Sequence, residues 1–421
     1  MRPVPLRLLP ETSEVIDGVL HIGGCNTLDL AAEFGTPVFV YDETHLRNRC
    51  REAVAAFGPG VAYATKAFLC TAMAQLAHQE GMHLDVATGG ELQVALLSGV
   101  PAEHLVLHGN NKSMAELRMA VEAGVGRIVV DSFDELDRLD ELANETGTAP
   151  KVLLRLTPGI KAETHEFIST GQDDSKFGFT VSNGTAAAAL QRARSSDSVE
   201  LVGVHAHIGS QVFAAGSLGR ATEVLAGIAN EYEVEELSVG GGLGVAYVDD
   251  ERAPTITEWG RVVREACRDA GVSARITAEP GRSIVADAAV TLYTVGTIKH
   301  LPGIRTYVSV DGGMSDNPRP VLYGSGYETF LPRAVAADRP QAVTVVGKHC
   351  ESGDILVRAG ALPEDLAVGD VLATPVTGAY GHSMGSNYNK VLRPPVVFVA
   401  DGEARLVVRR ETFDDLIRLD V

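Results

Sequence analysis

The stretch 61–90, VAYATKAFLCTAMAQLAHQEGMHLDVATGG, decides the fold. Apolar and β-branched residues in VAYATKAFL predict a buried strand. TAMAQLAHQEG carries its apolar residues at helical spacing. A second apolar run follows and ends near Ala87. Strand, helix and strand in that order form a crossover unit, which joins parallel strands.

The alternation continues downstream. Apolar runs end near Thr65, Ala87, Gly109, Ser132, Pro158, Gly209, Gly242 and Arg282. Helical stretches such as GELQVALLSG (90–99) and SMAELRMAVEAG (113–124) lie between them. Eight such units predict an α/β fold with a closed (β/α)8 TIM-type barrel, an open doubly wound sheet being the rival. After residue 290 the texture changes. VTLYTVGTIK, TYVSVDGG, QAVTVVGK and RPPVVFVADGEARLVVRR read as antiparallel strands with turns between them. They predict a second, C-terminal domain of β-sandwich or β-barrel-like form. The expected division is 39–289 for the barrel and 290–421 for the β-domain, with 1–38 contributing to the latter. The N-terminal runs VLHIGG and PVFVYDE either add to the β-domain or lead into the barrel. Residues 161–176, KAETHEFISTGQDDSK, predict a long polar loop after the fifth barrel strand.

The 421 residues exceed one ordinary domain and fit a barrel of roughly 250 residues plus a second unit. Hydrophobic residues make up 45% and charged residues 22%, the balance of a soluble protein with ample core. A net charge of −19 argues against nucleic acid or an anionic membrane as partner. The N-terminus has no apolar core of signal-peptide length, and no run is long enough to span a membrane. Cys25, Cys50, Cys70, Cys267 and Cys350 are scattered, without paired spacing. They predict reduced thiols and a cytoplasmic location, with no metal site.

Lys66 ends the first strand. A lysine there is costly, because a desolvated ammonium is expensive unless paired or neutralised. The same desolvation lowers its pKa and makes the amine a nucleophile able to form a Schiff base. The plainer reading is a lysine that snorkels past an apolar flank to solvent.

The other strand ends decide between these readings, because barrel chemistry sits at that face. Asp85 lies on the second strand and Glu91 opens the helix after it. His205, His207 and Ser210 mark the sixth. Gly240, Gly241, Gly242 and Gly244 follow the seventh, and Glu279, Pro280, Gly281 and Arg282 the eighth. Glycines without Cβ atoms let backbone N–H groups close around an anion, and a helix start adds a favourable field. His207 alone reads as a core histidine, and Glu279 alone as an ion-pair partner. Beside a phosphate loop and a lysine, His207 suits stacking on an aromatic cofactor, and Glu279 suits holding a pyridinium proton. An aldehyde trap, a phosphate cradle, a ring stacker and an anionic ring-nitrogen partner together imply pyridoxal 5'-phosphate.

YATKAFLC, DVATGGEL, LHGNNKS, HEFISTGQDDSKFGF, HAHIGSQ, SVGGGLG, EPGRSIVADA, DGGMSDNPRPVLYG, GKHCESGDIL and TGAYGHSMGSNYN occur in that order. The ordered set resembles the diaminopimelate decarboxylases, among the fold-type III pyridoxal-phosphate enzymes, from about residue 30 to the C-terminus. The resemblance implies a homodimer with active sites shared between subunits. It implies that Lys66 carries the cofactor and His207 stacks on its ring. Ser210, Gly240, Gly241, Gly242, Pro280, Gly281, Arg282 and Tyr380 lie around the cofactor, and Glu279 faces the ring nitrogen. Arg282, Arg319, Tyr323, Glu351 and Tyr380 correspond to substrate-binding positions, the arginines being suited to bidentate carboxylate capture. Cys350 corresponds to a proton-donating cysteine, which with Glu351 reaches into the partner's site. Without the resemblance, the plainer readings stay open: Arg319 as a surface loop arginine and Cys350 as a buried structural thiol. Ala87 stands where some relatives carry cysteine, so a disulfide from there to Cys350 cannot form.

The implied activity is decarboxylation of meso-2,6-diaminopimelate to L-lysine and carbon dioxide, with Cys350 as general acid. A racemase with the same barrel wants a cation at the ring nitrogen, against which Glu279 argues. Decarboxylases of ornithine, arginine or a carrier-bound amino acid act on substrates without a distal carboxylate, against which the paired Arg282 and Arg319 argue. An inactive regulatory homologue has no use for Lys66, Glu279 and Cys350 together.

Overall fold

Eight short parallel strands follow one another in the order the sequence predicts: β1 (Ala62–Ala64), β2 (His83–Val86), β3 (Leu105–Leu107), β4 (Arg127–Val130), β5 (Lys151–Thr157), β6 (Glu200–His205), β7 (Glu236–Ser238) and β8 (Arg275–Thr277). The structure is a computed structural model that describes residues 3–159, 173–213 and 215–421. Most of the predicted polar loop 161–176 therefore lies outside the described residues.

The two edges of this sheet meet. Ala62 N donates to Ala278 O at 2.9 Å, and Ala64 N donates to Pro280 O at 3.1 Å. These bonds join β1 to the chain leaving β8, so the sheet is a barrel and the open-sheet alternative is excluded. Ala62, Val106, Val129, Leu153 and Val202, from five strands, form one buried cluster inside it. The strands stop earlier than their apolar runs, by one residue at β1 (Ala64 against Thr65) and by five at β8 (Thr277 against Arg282). The remainder of each run forms the turn that carries side chains to the barrel mouth.

Helices α1 (Thr71–Gln79), α2 (Gly89–Leu97), α3 (Met114–Ala123), α4 (Phe133–Thr146), α5 (Thr185–Arg194), α6 (Ala215–Glu231) and α7 (Ile256–Asp269) separate the strands. Their starts follow from local chemistry. Ser113 with Glu116 and Thr255 with Glu258 form capping boxes at α3 and α7, and Thr88 and Ser132 cap α2 and α4. Trp259 of α7 is fully buried, edge-on to Phe57 at 4.7 Å. This barrel unit comprises Arg49–Val245 and Ala253–Ser283.

The second unit comprises Met1–Asn48, Ala246–Arg252 and Ile284–Val421. Its strands are β9 (Ala289–Leu301), β10 (Arg305–Val310), β11 (Gln341–Val346), β12 (Ile355–Leu362), β13 (Val371–Pro375), β14 (Val396–Ala400) and β15 (Glu403–Val408). With the strand Val38–Asp42 they form one sheet in the order β12, β11, β10, β9, Val38–Asp42, β14, β15, and β13 also pairs with β9. The 13-residue β9 organises the sheet. Its first half pairs with β13 and Val38–Asp42, its second half with β10, and the register shifts between Val295 and Thr297.

The sheet is mixed, whereas the sequence reads as antiparallel throughout. β10 and β11 run parallel, as do β14 and Val38–Asp42. Residues 311–340 supply the long connection that a parallel pair requires. PVFVYDE thus joins the β-domain. VLHIGG lies in a three-stranded antiparallel meander whose Leu20 and Ile22 belong to the β-domain core. No helix among the described residues is long and apolar enough to cross a membrane.

Candidate active site

Lys66 lies in the single turn Thr65–Ala67 that follows β1. It is exposed, which corrects the desolvated lysine suggested by the apolar run. The physical reason is that β1 ends at Ala64, so the side chain leaves from the turn rather than from the strand. Its ammonium acts electrostatically on Asp85, Glu91 and His207.

The glycine loop after β7 packs against the neighbouring strand exits. Gly240 and Gly242 have φ of +66° and +118°, conformations that favour glycine. A Cβ on Gly240, Gly241 or Gly242 would overlap the carbonyl oxygens of Ala206, Glu279 and Gly209 respectively. Gly241 N donates to His207 Nδ1 at 3.0 Å. That bond makes Nδ1 an acceptor and fixes the tautomer of a neutral ring. Burial, then the charges of Lys66 and Arg155, hold the His207 pKa well below the ordinary histidine range, so the ring stays uncharged.

Pro280 and Gly281 sit at the barrel seam. Pro280 O accepts from Ala64, and a Cβ on Gly281 would lie 2.9 Å from Ala64 Cβ. Arg282 is buried and donates through Nη2 to Ser210 Oγ at 2.9 Å. The structure therefore brings together two positions, Ser210 and Arg282, that the sequence set 72 residues apart.

Glu279 is the most constrained of the predicted residues. Its side chain is 7% exposed. His205 Nε2 lies 2.9 Å from Oε2, Ser238 Oγ donates to Oε1 at 3.0 Å, and His108 Nε2 lies 3.3 Å from Oε1. The rings of His108 and His205 meet edge to face at 5.0 Å. Burial by itself would raise the Glu279 pKa, but His205 and His108 outweigh it and hold the carboxyl well below its usual range. Burial lowers His108 too, yet the carboxylates of Asp85 and Glu279 carry it above the usual imidazole value. Burial raises Asp85, whose Oδ1 is 3.7 Å from His108 Nε2. His108, His205 and Glu279 each present one atom within 4.8 Å of the others, a spacing that metal ligands share. Here the two Nε2 atoms face Glu279, that of His205 within hydrogen-bond distance of Oε2 and that of His108 3.3 Å from Oε1 as a charge partner.

The remaining predicted residues belong to the β-domain unit. Arg319 and Tyr323 bound a five-residue helix, Arg319 being 4% exposed and Tyr323 half-buried. Arg319 is thus no surface arginine. Its guanidinium lies 4.0 Å from the Tyr247 ring centroid, and Nη1 donates to Tyr327 Oη at 2.7 Å. Among the described residues no carboxylate pairs with Arg319, and its buried Nε has no hydrogen-bond partner. Tyr380, half-buried with φ of +61°, also acts on the Arg319 charge.

Cys350 and Glu351 are exposed, which removes the reading of Cys350 as a buried structural thiol. They sit at the tip of a loop that is fixed from below. Buried Asp354 accepts from His349 N at 2.9 Å and Met314 N at 2.7 Å, and its Oδ2 is 2.8 Å from His349 Nδ1. Cys350 N donates to Asn389 Oδ1 at 2.9 Å.

Sequence reasoning missed His108, Ser238 and Tyr247, and gave His205 no role. His108 stood within a quoted motif, LHGNNKS, but no spacing links it to Glu279. The donor set fits pyridoxal phosphate: an exposed amine at the barrel mouth, a neutral ring pinned by a glycine N–H, and a buried carboxylate kept ionised.

Residues 43–286 match the family model described as pyridoxal-dependent decarboxylase, pyridoxal binding domain. The chain is 47% identical to a diaminopimelate decarboxylase of Mycobacterium tuberculosis, over 96% of this chain and 95% of that one. It is 46% identical to the Bacillus subtilis protein of that name, with the same coverage. Among solved structures, the M. jannaschii diaminopimelate decarboxylase in complex with L-lysine superposes with a TM-score of 0.91 at 35% identity, covering 98% of each chain.

Proposed function

Since the chain belongs to the diaminopimelate decarboxylase family, we propose that it converts meso-2,6-diaminopimelate to L-lysine and carbon dioxide, the last step of lysine biosynthesis. One observation carries the reading: Glu279 is buried in the barrel and held as a carboxylate by His205 and His108.

Pyridoxal phosphate, when bound, supplies the sink for the electron pair left on the substrate's α-carbon as carbon dioxide departs. Lys66 would hold the cofactor covalently and His207 would stack on its ring. Ser210, Gly240, Gly241, Gly242, Pro280, Gly281, Arg282 and Tyr380 would surround it. Glu279 would keep a proton on the ring nitrogen, which would favour loss of carbon dioxide over rapid return of a proton. Arg282 and Arg319 take the substrate's distal carboxylate, with Tyr323 and Tyr380 beside it, and Glu351 takes the distal ammonium. The guanidinium of Arg319, buried and without a carboxylate partner among the described residues, supports that assignment. Cys350 gives its thiol proton to the α-carbon, and its exposure on a braced loop supports delivery into a second copy of the chain. A cytoplasmic homodimer with shared sites completes the proposal.

The test is carbon dioxide release from meso-diaminopimelate, lysine, ornithine and arginine by the protein loaded with pyridoxal phosphate. Release from diaminopimelate alone is the expected result. Equal release from ornithine or arginine replaces the substrate assignment, and no release from any of the four removes the reading.

A further inference from the structure

A carboxylate offers about four lone-pair directions to donors. Two of those on Glu279 receive hydrogen bonds, Oε1 from Ser238 Oγ and Oε2 from His205 Nε2. His108 Nε2 stands 3.3 Å from Oε1 as a charge partner, outside hydrogen-bonding geometry. Oε2 keeps one direction that His205 does not take. The three neighbours come from three elements: His205 ends β6, Ser238 ends β7, and His108 follows β3. All three are buried, His205 to 1% exposure. A buried carboxyl with neutral, non-donating neighbours would take up a proton and become a donor itself, which is the wrong polarity for a protonated ring nitrogen.

We propose that His108 and His205 are positioning residues that fix both the charge and the free oxygen of Glu279, His205 as an Nε2–H donor and His108 as the counter-cation. The proposal rests on the cofactor reading above. For His205 to donate through Nε2 its neutral ring must leave Nδ1 bare, and Nδ1 is buried without a hydrogen-bond partner among the described residues. That unmet acceptor is a cost that packing alone gives no reason to keep. His108 has a second anion at hand, Asp85 of β2 at 3.7 Å, so one cation lies between two buried carboxyl groups. Among the described residues, the other charged groups facing the cluster are Arg155 on β5, which acts on both carboxyl groups, Lys66 beyond β1, which acts on Asp85, and Glu91 of α2, whose carboxyl interacts with Asp85.

The sign follows from the charges. Removing the cation or the donor raises the pH at which Glu279 takes up a proton. The acid limb of kcat should therefore move up in His108→Gln and in His205→Leu, by roughly one to three pH units. The alkaline plateau should remain, because Glu279 ionises there without help. His205→Gln keeps an amide N–H and should restore most of the wild-type profile. A readout independent of turnover is the absorbance of bound pyridoxal phosphate against pH without substrate, whose acid transition should move with the kinetic limb. Should either histidine variant not fold, Ser238→Ala, which deletes one hydroxyl, should move the same limb upward by a smaller amount. Folded, cofactor-loaded variants with wild-type profiles by both readouts would overturn the inference while leaving an active wild type, and hence the parent reading, untouched. A wild type that binds no pyridoxal phosphate would overturn both.

Discussion

Lys66 lies two residues beyond the end of β1 and is exposed, so a small aldehyde can reach its side chain. The barrel has a second lysine at a strand exit, Lys112, and geometry separates the two. Lys112 Nζ donates at 2.7 Å to Gly109 O, to Val129 O and to Glu135 Oε1, which exhausts its three hydrogens. Borohydride reduction of the loaded protein followed by peptide mapping should therefore place the pyridoxyl group on Lys66, and a label on Lys112 would refute the assignment. Arg319 gives the second residue-scale prediction. Arg319→Ala removes a buried guanidinium that no carboxylate of the described chain neutralises. A lost bidentate contact of roughly 1.5–3 kcal/mol should raise KM for meso-diaminopimelate about ten- to a hundredfold. An unchanged KM would assign the distal carboxylate to another group. Lys66 and Glu279 stood out in the sequence because each follows a barrel strand, and Arg319 because it stands in a motif of the resemblance. His108 and Tyr247 did not, because their relevance comes only from contacts with Glu279 and Arg319, far away in sequence.

Elements explain what the motifs could not. The apolar runs marked all eight barrel strands, since burial on both faces leaves a continuous hydrophobic signal. They overstated the strand ends, because Gly240 and Gly242 leave the ladder at positive φ while the sequence stays apolar around them. Strand direction in the β-domain was hidden for a different reason. β10 and β11 are parallel because of the path of residues 311–340, which composition does not encode. The loop carrying Cys350 shows how an exposed element is held. Asp354 is 3% exposed and accepts from two backbone amides and the His349 ring. Asp354→Ala leaves those donors buried and unpaired, and should cost on the order of 3 kcal/mol. Turnover should fall with stability, while borohydride labelling of Lys66 in the barrel persists. A variant with wild-type melting temperature would show that the loop is braced otherwise. Asp316, in the same unit, adds a pH dependence. Burial pushes its pKa up to about 7, against the opposing hydrogen bond from Tyr293 Oη at 2.6 Å. A carboxyl raised in the folded state favours folding while it is protonated, and that contribution fades as pH climbs from about 4 towards 7. Asp316→Asn should flatten this part of the stability–pH curve, and an unchanged slope would mean that Asp316 is ionised in the fold throughout.

At the scale of the whole molecule, the proposed proton donor and the proposed cofactor lysine belong to different units of the chain, Cys350 to the β-domain and Lys66 to the barrel. Cys350 and Glu351 are exposed on a braced tip, as groups intended for a second copy would be. In a symmetric dimer each partner offers the same patch, so both sites are completed in the same way. Lys66→Ala and Cys350→Ala should each be inactive alone, the first without its cofactor anchor and the second without its proton donor. Mixed under conditions that exchange subunits, they form heterodimers in which one site lacks both residues and the other has both. With equal amounts and random exchange, half of the dimers are mixed and half of their sites are intact, so about a quarter of wild-type activity should return. The recovered activity should rise with the fraction of mixed dimers, measured by native mass spectrometry of differently tagged subunits. If exchange is complete and no activity returns, Cys350 serves the barrel of its own chain, and the shared site must be given up.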